Sequence, residues 1–342
     1  MIFGDFAIAD AERVILADAL GLPGRTLAKG AMISRRDLAG LAAAGITAVT
    51  GGRLEPGDFG EDDAAEIVAT ALTGPHLSRT AAVSGRVDLI AAARGVAVID
   101  RQRVEALNLI DEAVAVATVP PGTIVDRGQP VAAVKVIPLG VDRRVVDAFV
   151  TFAGESPPLA LVAPFRPLTV SMILSARPGA KRGALDKLAA AARTRVEAVG
   201  GRWIDELSCR HDTDGLGGAI ESALARGCSL LLIGGSSSTI DRRDAVPQAI
   251  ERAGGSVERF GFPASPGSLL VVGRIGSVPV IGVPGCVRSP RPNGFDLVLS
   301  RMMADLPVGR RDIASMAVGG LLEEWNAAEA PSRLAAVAGA RR

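Results

Sequence analysis

From Leu168 onward, short apolar runs alternate with helix-length amphipathic stretches, and glycine marks most of the boundaries; that rhythm leaves few folds open to the chain. The runs Leu168–Leu174, Arg202–Leu207, Ser229–Ile233 and Val278–Val283 have strand length. Between them lie Gly183–Val199, stopped by Gly200 and Gly201, Gly217–Arg226, closed by Gly227, and Asp244–Arg252, ended by Gly254 and Gly255. These carry helical spacing and helical stops. Phe295–Leu306 closes the series with apolar Leu297, Val298, Leu299, Met302 and Met303. Successive parallel strands need a crossover between them, so the alternation predicts an α/β fold: a parallel sheet with helices on both faces. Leu230–Ile233 is apolar at every position, the mark of a strand buried on both sides.

Open sheets of this kind hold ligands beyond the carboxyl ends of their strands. Three loops are therefore expected to meet there. The second, GGSSSTIDRRD, is the most informative: an apolar run stops at Gly234 and Gly235 and gives way to Ser236, Ser237 and Ser238, then Asp241 and Asp244. The glycines would allow φ above zero and let a ligand approach the backbone, and the serines offer short donors and acceptors. Asp244 reads equally as a ligand contact and as the N-cap of the helix after it. The first loop, SARPGAKRG, begins at Ser175 and carries Arg177, Lys181 and Arg182 beside a helix start, a setting for a phosphate or for a solvated basic turn. The third, VPGCVRSPRPNG, turns at Pro284 and Gly285 and presents Cys286, Arg288, Ser289 and Arg291. With no histidine near it in sequence to lower its pKa, Cys286 reads as a small residue of a tight loop rather than a nucleophile.

Composition narrows the function classes. Against 37 acidic residues stand 38 basic ones, a net charge of +1, so no global field argues for nucleic acid or a membrane surface. Cys209, Cys228 and Cys286 share no paired spacing, and the 2 histidines, His76 and His211, stand far apart, so no zinc or disulfide framework emerges. No basic segment leads into an apolar signal stretch, and no run nears a membrane span. A cytoplasmic protein is expected.

With 342 residues, two domains are the natural expectation. Gly154, Pro157, Pro158, Pro164 and Pro167 crowd one seam, which divides the chain into a mixed α+β accessory domain, 1–165, and the α/β domain, 166–342. In the first, the pattern predicts helices over Ala11–Leu20, up to Ala43 behind a Ser34 cap, and over Ala64–Leu72 behind the acidic Asp58–Asp63 stretch. Strands are expected at ITAVT, Val96–Ile99 and Ala113–Val119, and a meander over PPGTIVDRGQPVAAVKVIP. No catalytic constellation stands out there.

The second half resembles the molybdopterin-binding domains shared by molybdopterin molybdotransferases and adenylyltransferases. Gly234, Gly235, Ser237 and Asp244 match the family's GG-small-Ser-x-Gly-x-x-Asp pattern; Pro266 and Gly267 match its Pro-Gly. Gly282, Val283, Pro284 and Gly285 match its LPGN loop, with Ser289 at a downstream serine. The match runs in order from about Leu168 to Pro307. Departures are as plain: the family's Thr-Gly-Asp-Glu loop is SARPGAKRG here, an acid before the GG strand is Ser229, the LPGN asparagine is Cys286, and two extra residues separate Gly235 from Asp244. The N-terminal proline-rich substrate loop is missing as well.

What the resemblance implies is molybdopterin binding in molybdenum cofactor biosynthesis. The basic first loop, Arg182 included, would take the terminal phosphate. Ser175, Gly234–Ser238, Pro266, Gly267, Pro284, Gly285, Cys286 and Ser289 would hold the pterin. Asp244, with Asp241 as alternate, would carry the site's chemistry on pterin nitrogens or on a Mg or molybdate centre, Asp244 then serving as a metal ligand. The lost acids suit a binder that presents cofactor to a separate nucleotidyltransferase; the alternative is a molybdotransferase that inserts molybdate, with Asp212 or Asp214 supplying a carboxylate unless those two begin a helix. Family members usually dimerise, so a homodimer is expected, and the first half looks like the variant fused to cofactor nucleotidyltransferases. An unrelated nucleotide-binding α/β protein is the rival, though no GxGxxG follows a first strand. So is a purely structural subunit whose loops are scaffold turns.

Overall fold

A computed structural model of the chain describes residues 1–322 apart from Pro23 and Ser156. The chain divides into two compact units, Met1–Pro164 and Phe165–Arg342; residues 323–342 of the second lie outside the described part.

In the first unit, helices Glu61–Leu72 and Arg143–Ala153 bury Ala64, Ala65, Val68, Val146 and Phe149 in one core with Val87, Leu89, Val134 and Val136 of a four-stranded antiparallel sheet. Helix Arg35–Ala43 starts at a Ser34–Asp37 capping box. Two expectations fail here. No helix spans Ala11–Leu20: Arg13 sits at φ 66°, and Val14, Ile15 and Leu16 are all buried, which one helix face cannot do. Ile15 and Leu16 instead pair with Gly52 and Gly51, and a Cβ on Gly51 would fall 2.2 Å from the Ile15 carbonyl oxygen. Nor is there a meander: Ile124–Val125 pairs with Gly95–Val96, while Pro130–Val136 belongs to the four-stranded sheet with Arg86–Ala91 and Val114–Thr118.

The second unit is mixed α/β. Its elements, numbered within the unit, are β1 Thr169–Ala176, α1 Arg182–Ala198, β2 Arg202–Arg210, α2 Thr213–Ala225, β3 Leu230–Gly235, α3 Ala245–Arg252, β4 Ser256–Phe260, β5 Val271–Ile275, β6 Val278–Val283, α4 Gly294–Met303 and α5 Arg310–Ser315. They form one six-stranded sheet, ordered β2-β1-β3-β6-β5-β4. Every residue from Leu230 to Ile233 is buried, and the period of two divides them between opposite faces. Leu230 and Leu232 join Leu188, Ala192 and Val196 of α1 and Phe295 and Val298 of α4. Leu231 and Ile233 join Leu216 and Ile220 of α2 and Val246 and Ile250 of α3. Helices therefore cover both faces.

The expectation of a parallel sheet needs correction. β2, β1, β3 and β6 are parallel, but β5 runs antiparallel to both β6 and β4. A two-residue turn, Gly276–Ser277, joins Ile275 to its partner Val278, and a loop that short can only reverse the chain. At the far edge, Trp203 of β2 packs half-buried against the α1 side of the core, its indole N–H without an acceptor among the described residues.

Candidate functional site

Because β1, β3 and β6 are parallel, the loops after Ala176, Gly235 and Val283 leave the sheet at one pole. The first two are laced together: the Ser236 N–H donates to the Ser175 carbonyl at 2.9 Å, and the Arg177 N–H donates to Ser236 Oγ at 2.9 Å. Beyond the tie, Ser236 and Ser238 are exposed and Ser237 is half-buried. Arg177 and Lys181 make no ion pair among the described residues.

The glycine pair does not use the backbone freedom expected of it. Neither Gly234 nor Gly235 takes a positive φ. A Cβ on Gly234 would lie 2.7 Å from Leu188 and 2.8 Å from Met172, inside the core, and one on Gly235 would lie 3.1 Å from the His211 ring and from Ser175 Oγ. Steric room explains both.

His211, absent from the residues expected at the site, follows the last residue of β2 and so arrives at the same pole. Its side chain is 1% exposed, and Nδ1 lies 2.8 Å from Ser175 Oγ, on a residue that is itself fully buried. Nε2 has no hydrogen-bond partner among the described residues and lies 4.0 Å from Asp244 Oδ1. Its position after a strand's carboxyl end was the available signal. Burial first, and then the charge of Arg177, hold the imidazole pKa below its ordinary 6.5, with Asp244 and Asp212 opposing. The linkage follows from that sign. An unfolded histidine takes a proton near 6.5 while the folded one resists, so the unfolded state binds more protons as the pH falls through that range. Stability should therefore decline as the pH falls through about 6.5, and the decline should end only once the folded imidazole also charges. Urea midpoints measured across this range should fall less in His211→Gln than in the wild type.

Asp244 is the N-cap of α3: Oδ1 accepts from the Ala245 N–H at 2.8 Å and Oδ2 from the Ile240 N–H at 3.3 Å. Asp241 lies outward, ion-paired with Arg243 at 2.9 Å, and that contact holds its carboxyl below the usual range. Arg182 is also outside the cluster, 91% exposed and 4.0 Å from Asp186. Asp212 caps α2, accepting from the Gly215 N–H, and Asp214 sits in its first turn with Arg252 as partner.

The third loop is held from behind by Arg195 of α1, another residue not anticipated. Its guanidinium donates to the carbonyls of Val287 at 3.1 Å, Ser289 at 2.6 Å and Arg291 at 3.2 Å, and pairs with Asp296 at 2.8 Å. Pro284 is buried, Gly285 and Cys286 enter a 3-10 turn, and burial pushes the Cys286 thiol up, which keeps it neutral. Pro266 and Gly267 lie at this pole too, just before β5 begins. The Pro266 carbonyl accepts from the Gly294 N–H at 2.9 Å, at the start of α4. The structure thus gathers Ser175, Gly235, Ser236, His211 and Asp244, places the third loop beside them through the Gly234–Val283 pairing, and leaves Asp241 and Arg182 in solvent. Among the described residues, no group of three or more His, Cys, Asp or Glu gathers where a metal ion could sit.

A cleft of about 660 Å³ opens at this pole between Ala176, Arg177, Pro178, Arg210, His211 and Asp212. One of about 600 Å³ lies at the opposite pole, where Arg166 pairs with Asp305. The first is the stronger ligand candidate, because a buried histidine with a displaced pKa borders it. No helix among the described residues is long and apolar enough to cross a membrane.

No protein family matches the chain, and no curated protein does. Among solved structures it is similar to a molybdenum cofactor biosynthesis protein B, at 14% identity over 40% of this chain and 88% of that one, with a TM-score of 0.28. A molybdopterin biosynthesis protein from Mycobacterium abscessus aligns at 16% identity over 44% and 96%, with a TM-score of 0.26. MogA aligns at 18% over 44% and 97%, with a TM-score of 0.25.

Proposed function

We propose that the second unit binds molybdopterin in molybdenum cofactor biosynthesis and presents it to a separate cofactor nucleotidyltransferase. The observation that supports this reading is the lacing of the first two strand-end loops through Ser236 and Arg177, at the pole of the sheet where Asp244 caps α3. The residues suit the ligand: short hydroxyls and loop backbone for the pterin, and the cations Arg177 and Lys181, unpaired among the described residues, near the start of α1 for its phosphate. Asp244 would accept from pterin N–H groups. A homodimer remains the expected assembly, to be read by light scattering.

Calorimetric titration of the whole chain with molybdopterin, with and without Mg and molybdate, tests the reading. Binding without formation of a metal-loaded product is expected. Such a product would establish the molybdotransferase alternative, and binding of ATP or NAD in preference to molybdopterin would establish the nucleotide-binding rival. Asp244→Ala separates ligand contact from capping. It should lose about 1 kcal/mol of stability as a cap and about tenfold or more in affinity as a charged hydrogen-bond partner. Unchanged affinity with a lower melting point would remove Asp244 from the site.

A further inference from the structure

We propose that His211 is a positioning residue of this site, its Nε2–H held ready for Asp244, and that the hydrogen bond between them closes when ligand binds. The inference rests on the proposed reading of the loop site. Ser175 Oγ lies 2.8 Å from His211 Nδ1 and 3.2 Å from the Gly234 carbonyl oxygen. The hydroxyl has one proton, and the second contact is longer than an O–H···O bond ordinarily is. The proton therefore goes to Nδ1. With Nδ1 accepting, the neutral ring carries its own hydrogen on Nε2.

That nitrogen is buried, has no hydrogen-bond partner among the described residues and lies 4.0 Å from a carboxylate oxygen. Buried donors without acceptors are rare because their lost hydration is not replaced. A partner lies about one ångström beyond bonding range, and the bond restraining Asp244 on its other side, from the Ile240 N–H, is long at 3.3 Å. A modest rotation of Asp244 would exchange that bond for Nε2–H and fix how the carboxylate meets a ligand. Gly235 fits the same purpose, since a Cβ there would sit 3.1 Å from the ring.

The chain's 2 histidines make the test direct. In a His76→Gln background, the imidazole ¹⁵N signals belong to His211 alone. The free protein should show the neutral, Nε2-protonated pattern, molybdopterin should shift the Nε2 proton downfield, and Asp244→Ala at saturating ligand should abolish the shift. His211→Gln, whose amide nitrogen approximates Nε2, should bind within about threefold of wild type, and His211→Leu about tenfold more weakly. An Nδ1-protonated ring, or wild-type affinity in His211→Leu, overturns the proposal while leaving the site intact. Failure of the wild type to bind molybdopterin overturns the reading of the site and this inference with it.

Discussion

Arg195→Met should destabilise the second unit by about 3 kcal/mol, because it strips donors from three loop carbonyls and leaves Asp296 without its partner. Methionine keeps most of the stem, so the loss isolates the guanidinium. Side-chain exposure of 13% means that water replaces little of what is removed. The second consequence concerns the loop itself: with Val287, Ser289 and Arg291 released, Pro284–Ser289 would sample many conformations, and molybdopterin affinity should fall by tenfold or more. Lysine should not rescue, since one ammonium cannot span carbonyls that a planar fork reaches together. Urea denaturation and calorimetry on Arg195→Met and Arg195→Lys decide the matter; a lysine variant equal to wild type in both would show that charge alone is needed.

Gly267→Ala is expected to be more severe, at about 4 kcal/mol. Gly267 holds φ 126°, where side chains other than hydrogen are strained, and a Cβ there would fall 2.5 Å from the Gly294 nitrogen and 2.8 Å from its Cα. Those are backbone atoms, and no rotamer change removes them. The neighbouring Pro266 carbonyl binds the same residue's N–H, so the Pro-Gly pair braces the entry to α4. A melting temperature within about 3 °C of wild type would contradict this account. The family resemblance gives Pro266 and Gly267 to the cofactor, and a stable Gly267→Ser chain that bound molybdopterin poorly would favour that role.

Much of the second unit could be read from its residues because burial is written into them. Leu230–Ile233 must be covered on both faces, and Leu188, Ala192 and Val196 recur at helical spacing. The reversal at β5 was missed for a local reason. VVGRI is short and interrupted by Gly273, so only the run after it stood out, although Gly276–Ser277 between two apolar segments is itself a hairpin signal. Ala11–Leu20 misled because Val14 and Ile15 suit either period; pairing with Gly51 and Gly52 decided it.

The site was legible as loops and less so as chemistry. Ser236, Asp244 and the first loop's start are drawn from segments whose composition marks them as polar strand ends. Arg195 looks like any arginine on a helix, because the carbonyls it gathers lie more than ninety residues on. Likewise, His211 shows its meaning only beside Ser175, 36 positions earlier. The two glycines signalled freedom of the backbone, whereas their environment demands small volume; sequence alone does not separate those causes.

Trp203 gives the two units different optical signatures. The chain has 2 tryptophans, Trp203 and Trp325, and none before Trp203. A Trp325→Phe chain would therefore fluoresce from one indole, packed against the core under α1. Its emission would move to the red when that core opens and would be silent to melting of Met1–Pro164. Unfolding followed together by fluorescence and by circular dichroism would then assign each transition to its unit without cutting the chain.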